Sequence, residues 1–437
     1  MSQHNGSRNG ASINHLNGET SLGTTVLEAG PDLQQALEEA IELSAAKGHA
    51  FAEAVKSAVK NGRAAAAASV LPDTSSLTGL QNGSTKNAAR PVTPVPAMHQ
   101  LPPEILEGIR RVDIMHSLEP LGERMKTVES EIDRLITTPV KLVADIAGHV
   151  LGAGGKRLRP ALTLLAAEVC GDSAEAPAAR VVTCAALVEL THTTTLLHDD
   201  VVDSATMRRG RPAANLIWGN ETSVLVGDYL FAQVFVTASR RGMAELMHPL
   251  AQATAQMCAG ELLETQMRGF WEMTEKQYLE IVALKTGSLT ECACRMGALS
   301  VNATEAQVEA LGTFGRSIGV AFQIVDDVFD VISTSEEIGK PVGNDLREGA
   351  ITLPMLRTLE QSADRDEFAR LLALEDKTDA DVDRCLELMR QGDGVNYAMK
   401  LAKEYADLAQ NQLGLFPACA ARDMLGDIAD YVLSRAN

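Results

Sequence analysis

Apolar residues recur along this chain at the three- and four-residue intervals of a helix, and almost nowhere in the two-residue alternation of a half-buried strand. From about residue 103 the helical period becomes dense. Leu101–Pro103 reads as a helix start, with Pro at an early position. Helix then follows helix, with breaks at GAGG near 152, GDSAEAP at 171, RRGRP at 208 and GKPVGND at 339. There is no internal repeat of the length that builds solenoids. The pattern predicts an all-α fold for 103–437, a single large bundle of about a dozen helices.

The first hundred residues are patterned differently. Residues 1–30 are rich in Asn, Gly, Ser and Thr, too polar to bury a core. Residues 31–60 carry a candidate amphipathic helix on Leu33, Leu37, Ile41, Phe51, Val55 and Val59. Residues 61–100 hold an Ala run, then Gly, Ser, Asn and four prolines, which is linker composition. We therefore expect a largely disordered extension, 1–102, ahead of a folded domain, 103–437.

Composition and charge narrow the function. Aromatics make up only 4% of the 437 residues, and the net charge is −19. So acidic a chain repels nucleic acid, and that class of partner is set aside. An anionic ligand must then be held by local basic groups or bound cations. Seven scattered cysteines and the absence of a secretory signal predict reduced thiols in a cytoplasmic protein. Cys292 and Cys294 point to different helix faces and lack a second pair, so they do not read as a metal site. No apolar run approaches the roughly 20 residues that a bilayer span needs.

Two acidic clusters carry the chemistry. Asp199-Asp200-Val201-Val202-Asp203 ends a helical run that starts near Ala179; Asp326-Asp327-Val328-Phe329-Asp330 ends one that starts near Leu311. In each, the first and fifth positions share a helix face, and the second flanks it. Like charges at a helix C-terminus are unfavourable without a compensating cation. Hard oxygen ligands on a rigid helix suit Mg²⁺, which binds through a few carboxylates plus substrate phosphate. One such cluster could be a solvated helix end. Two copies of the same spacing after apolar helix argue for a shared task.

Basic groups accompany the acids. Gly154-Gly155-Lys156-Arg157-Leu158-Arg159 is Gly-rich and basic, but it is not a Walker loop, because Val150 stands at the first Gly position and Arg157 at the Ser/Thr position. Its cations can still clamp phosphate. Arg208-Arg209 follows the first cluster closely. Lys285, Thr286 and Lys340 come later, and Gln323 lies three residues before Asp326, on the same face.

Together these motifs resemble the trans-type polyprenyl diphosphate synthases. The run HTTTLLHDDVVDSATMRRGRPAAN is similar to that family's first aspartate-rich motif. FQIVDDVFDV and GKPVGNDLREG are similar to its second motif and the loop after it. The likeness spans roughly 140–437. It implies that Asp199, Asp200 and Asp203 bind Mg²⁺ on the allylic diphosphate, with Asp326, Asp327 and Asp330 binding a further ion from the opposite wall. It implies that Arg208 holds the allylic diphosphate, and that Lys156, Arg159, His192 and Arg209 hold isopentenyl diphosphate. Lys285, Thr286, Gln323 and Lys340 then neutralise the departing diphosphate and support the cation. The family often has Lys where Ala350 stands here, so one phosphate contact is missing or supplied elsewhere.

The implied reaction is ionisation, condensation, then proton loss to the departed diphosphate. Residues one and two turns before Asp199 should line the channel for the growing tail: Thr195, Thr194 and Thr191, with Val188 deeper. None is aromatic; in the family that the chain resembles, bulky residues there stop growth early, so the resemblance implies a long product of the octaprenyl to decaprenyl class, used for quinone tails. A shorter, geranylgeranyl-type product and, further off, a class I terpene cyclase are the alternatives. A homodimer is expected, and membrane contact for product release only.

Overall fold

A computed structural model describes residues 109–172, 178–333 and 342–434. The expected helix at 31–60, the helix start at Leu101–Pro103 and Lys340 lie outside the described residues. Where the chain is described it is helical, as its periodicity predicts. The helices of at least eight residues are α1 (Gly122–Ile136), α2 (Lys141–Leu151), α3 (Leu158–Val169), α4 (Ala179–Val202), α5 (Asn220–Arg240), α6 (Ala244–Met267), α7 (Glu275–Val282) and α8 (Ser288–Ser300). They continue with α9 (Glu305–Ile332), α10 (Leu353–Gln361), α11 (Arg365–Leu372), α12 (Asp379–Gln391), α13 (Gly394–Gln412) and α14 (Ala420–Ser434).

Local chemistry sets several starts. Thr274 caps α7 and Thr304 caps α9, each in a reciprocal box with the Gln three residues on. Thr378 does the same for α12 with Asp381.

The core forms around α4, whose apolar residues point in every direction; Val181, Cys184, Ala185, Leu187, Val188, Leu190 and Leu197 are all sealed from solvent. A helix apolar on all sides must be surrounded. Helices α1, α3, α5 and α8 pack around it, and α9 packs between α8 and α13. The last helix, α14, lies against α3 and α13.

Two local features depart from a plain bundle. Met207–Arg208 pairs with Arg211–Pro212 as a minimal antiparallel hairpin. Arg209 and Gly210 both take positive φ, 50° and 75°, the conformation that lets a two-residue turn follow strand twist. Between α7 and α8, Ala283–Gly287 form a π-helical turn without interrupting the rod. Gly260 on α6 permits the close crossing there, since a Cβ at that position would lie 2.6 Å from the Lys285 backbone nitrogen.

The expectation that no segment is long and apolar enough for a bilayer needs correction. By length and composition α5 passes that test, and only part of it is buried. The sequence pattern hid this because Glu221 and Asp228 interrupt the apolar run. Within the fold, α5 packs along α4, with Val226, Leu230 and Val234 turned into the core.

Candidate active site

The first wall is the C-terminal turn of α4. Asp199 is half-buried, and burial, reinforced by the Glu261 carboxylate, pushes it up to about 7 against the pull of Lys285. Asp200 points inward and is sealed from solvent. Arg208 grips its Oδ1 through Nε at 2.7 Å and Nη2 at 2.6 Å. Its other oxygen, Oδ2, is buried with no hydrogen-bond partner among the described residues. Asp203 caps the helix and pairs with Arg268 at 3.0 Å.

The second wall, the end of α9, repeats that division of labour. Asp326 is half-buried. Asp327 turns inward, where Tyr278 Oη donates to Oδ2 at 2.6 Å and Gln323 Nε2 to Oδ1 at 2.9 Å. Burial raises its pKa, and these two hydrogen bonds work against the rise. The Asp330 carboxylate accepts the backbone N–H groups of Asn344 (3.1 Å) and Asp345 (3.0 Å), fastening the returning loop to α9. In both clusters the second aspartate is thus held by protein donors, as is Asp330.

The π-helical turn serves both walls. The Lys285 ammonium lies between two carboxylates of α6, 2.8 Å from Glu261 and in hydrogen-bond contact with Glu264. Burial works against its charge, but the two glutamates outweigh it and raise its pKa. Its neighbour Thr286 turns to α9 and donates to Gln323 Oε1 at 3.0 Å. A wide π turn lets adjacent residues serve different helices, a common device at functional sites.

Beside these acids lies a basic cavity of about 500 Å³. Lys156, Arg159, His192, Arg209, Thr286 and Tyr431 line it. Gly154, Gly155 and Arg157 all take positive φ, which folds the basic loop back on itself. Arg157, also on the cavity wall, pairs with buried Glu189 and donates to the Leu151 carbonyl at 2.7 Å. Arg209 donates to the Gly154 carbonyl. Arg159 Nε is buried without a partner among the described residues, and burial, with Arg209 nearby, lowers its pKa despite Glu189. Burial first, then the surrounding arginines, hold His192 well below the usual histidine value, so it is neutral. Glu189 alone cannot balance this many cations, and the cavity is built for an anion.

The structure therefore brings Lys156, Arg159, His192, Arg209 and Thr286 together, and joins Thr286 to Gln323. Arg208 instead faces Asp200. The three threonines of α4 bond back to their own helix: Thr191 to Leu187 O (2.9 Å), Thr194 to Leu190 O (3.0 Å) and Thr195 to His192 O (2.8 Å). Their hydroxyls are satisfied locally, so they can present methyl groups. None of them lines the basic cavity. His198 sits over Gly227, with Nε2 3.3 Å from the Val224 carbonyl, a packing position.

The acidic region suits a divalent ion. The carboxylate donors are hard oxygens, Asp200 Oδ2 has no hydrogen-bond partner among the described residues, and burial with the Glu261 carboxylate pushes Asp199 up to about 7. Among the described residues no three His, Cys, Asp or Glu side chains close a coordination shell by themselves. Phosphate oxygens and water would complete it.

Known proteins agree with this geometry. Residues 140–389 match the polyprenyl synthetase family. The nonaprenyl diphosphate synthase of Mycobacterium tuberculosis is 40% identical over 313 residues, which is 70% of this chain and 91% of that protein. A polyprenyl synthase from Caulobacter crescentus, solved with calcium and isoprenyl diphosphate, superposes with a TM-score of 0.71 at 36% identity, covering 75% of this chain and all of that one. A decaprenyl diphosphate synthase from Rhodobacter capsulatus gives 0.69 at 38% identity, covering 74% and 99%. The chain belongs to the polyprenyl synthetase family.

A polyprenyl synthetase of this build contains site residues that the motifs alone did not reveal. Glu261 and Glu264 are three apart on one helix, directly after Gly260, a spacing that could have been noticed. Tyr278 and Tyr431 lie 49 and 275 residues from their partners Asp327 and Lys156, and no local pattern marks them.

Proposed function

We propose that this polyprenyl synthetase condenses isopentenyl diphosphate head to tail with an allylic diphosphate such as farnesyl diphosphate. The product is a long-chain all-trans polyprenyl diphosphate for quinone side chains, and the metal is Mg²⁺. The observation that carries the reading is the basic cavity of Lys156, Arg159 and Arg209, joined through Thr286 and Gln323 to the carboxylates of the second cluster.

Asp199, Asp203 and Asp326 are the direct metal ligands in this account. Asp200, Asp327 and Asp330 hold the walls in place through Arg208, through Tyr278 and Gln323, and through the 344–345 backbone. Mg²⁺ bound there would neutralise the allylic diphosphate oxygens and ease departure of the leaving group. Lys285 swings from Glu261 and Glu264 onto that diphosphate, and Lys340 adds a second cation. Lys156, Arg159 and Arg209 fix the isopentenyl diphosphate, so that its double bond lies near the allylic carbon. Neutral His192 donates a hydrogen bond rather than a charge. Carbonyl and hydroxyl dipoles of Gln323 and Thr286 face the developing allylic cation.

Product length follows from α4. From Val188 to Asp199 the helix rises about 16 Å without an aromatic side chain. Thr191, Thr194 and Thr195 are small, and their hydroxyls are already bonded, which supports a long, apolar channel. A geranylgeranyl-type product would need a floor supplied by another helix. The exposed Leu225, Tyr229 and Val236 of α5 support a homodimer with that face covered. We place the protein in the cytoplasm, touching membrane only for product release, with 1–102 an extension dispensable for catalysis.

The test is consumption of radiolabelled isopentenyl diphosphate with a farnesyl primer. Activity that requires Mg²⁺ and is abolished by EDTA or Asp199→Ala supports the reading. No consumption with any allylic primer would end it.

A further inference from the structure

We infer that Tyr431, on the last helix, belongs to the diphosphate pocket: it positions Lys156 and lends its own O–H to the bound anion. The inference rests on the reading of the basic cavity as the isopentenyl diphosphate site.

Tyr431 is 4% exposed and reaches the cavity from α14, together with Ile428 and Val432. The Lys156 ammonium donates to its hydroxyl and also lies 4.9 Å from its ring centroid. One tyrosine thus restrains the lysine twice, by hydrogen bond and by cation–π attraction. Restraint matters for this residue. Lys156 follows two glycines at φ 85° and 139° and is itself exposed, so its backbone does little to aim it. A lysine is also rich in rotamers, and ordering it before the anion arrives removes that cost from binding.

The hydroxyl has a second function available. A phenol can accept and donate at once. Here it accepts from Lys156, and its own proton meets no acceptor among the described residues. Most other polar side chains of the cavity are cations (Arg157, Arg159, Arg209) or the neutral His192; Glu189, its one carboxylate, is engaged by Arg157, and Thr286 and Thr290 are bonded to Gln323 and the Gly287 carbonyl. The chemistry that satisfies the proton is a phosphate oxygen, and a neutral donor adds no further repulsion to a pocket already crowded with positive charge. The lysine keeps two spare protons for the same ligand.

Because α14 packs on α3, which follows the basic loop directly, the end of the chain is tied to occupancy of this pocket. Loss of the Tyr431 hydroxyl should therefore weaken one substrate and spare the other.

Tyr431→Phe retains the ring, its packing and the cation–π contact, and removes the hydroxyl alone. Steady-state kinetics should show KM for isopentenyl diphosphate rising about 3- to 10-fold, the size of one or two lost hydrogen bonds. That rise should exceed any change in kcat, and KM for the allylic substrate should stay put. In a Lys156→Ala background the same substitution should cost less, because the residue it positions is gone. An unchanged KM for isopentenyl diphosphate in an active Tyr431→Phe enzyme would overturn the inference. So would a parallel loss for both substrates, the signature of a merely structural role, or full additivity with Lys156→Ala. A wild-type enzyme that consumes no isopentenyl diphosphate would instead refute the underlying reading of the reaction.

Discussion

Removing Arg208 should be far more damaging to folding than its place at the rim of the site suggests. Its guanidinium puts two nitrogens on one oxygen of Asp200, at 2.6 and 2.7 Å, and the Asp200 side chain is 1% exposed. Arg208→Ala would leave a sealed carboxylate with no cation and with Oδ2 already lacking a donor. Breaking a buried pair from one side costs about 3–5 kcal/mol. The carboxylate keeps only its backbone neighbours, so the upper part of that range applies if water stays out and the lower part if it enters. Removing the stranded charge should restore most of the loss: Arg208→Ala with Asp200→Asn should be roughly 2 kcal/mol more stable than Arg208→Ala alone, since a neutral amide is cheaper to bury than an ion. Urea unfolding of the metal-free protein, comparing midpoints at constant slope, measures both quantities. A cost of under about 1 kcal/mol for Arg208→Ala, the value of an exposed pair, would refute the argument. So would an Asp200→Asn change that fails to rescue it.

Three further outcomes follow from the same geometry. Tyr278→Phe strips one of two side-chain donors from buried Asp327 and should cost about 1.5–3 kcal/mol in unfolding, but distinctly less in an Asp327→Asn background; equal costs in both would show that the hydrogen bond is unimportant. His192 is held well below the usual histidine value, chiefly by burial, so the unfolded chain takes up a proton below about pH 6.5 that the folded state refuses. The stability this contributes is present above that pH and lost as pH falls below it; thermal unfolding should decline on acidification, and His192→Gln should flatten the decline, whereas an unaltered profile would remove His192 from the account. Phe in place of Thr194 or Thr195 should shorten the product by several isoprene units, and chromatographic sizing that shows the wild-type length would take both out of the channel.

Much of this arrangement was legible in the chain before folding. The spacing of each aspartate cluster already set its second member off the face shared by the first and fifth, and in the structure Asp200 and Asp327 are the inward, buried ones. Periodicity located α4 and α9, because long apolar runs on a 3.6-residue period have few other ways to bury themselves. The glycines and charges of the basic loop were visible in the sequence, and the structure sets Lys156 and Arg159 on the wall of one cavity. Other features depended on tertiary contact. The π turn at Ala283–Gly287 has no mark in its sequence beyond Gly287; what distinguishes it is the close approach of α6 at Gly260 and the bond from Thr286 to Gln323. The hairpin at 207–212 is too short to alternate, and only the positive φ of Arg209 and Gly210 reveals it. Local spacing placed Gln323 on the face of Asp326, but it could not show that its amide also bridges Asp327 and Thr286. Partners hundreds of residues apart, such as Lys156 and Tyr431, leave no trace in a window of local pattern.

The most direct test of the central claim is the size of the product. Purified protein with Mg²⁺, radiolabelled isopentenyl diphosphate and farnesyl diphosphate should give, after dephosphorylation, polyprenols in the octaprenyl to decaprenyl range. Chains that stop at the geranylgeranyl length would keep the chemistry and contradict the open channel along α4. No extension of any primer would contradict the account of the acidic walls and the basic cavity as a condensing site.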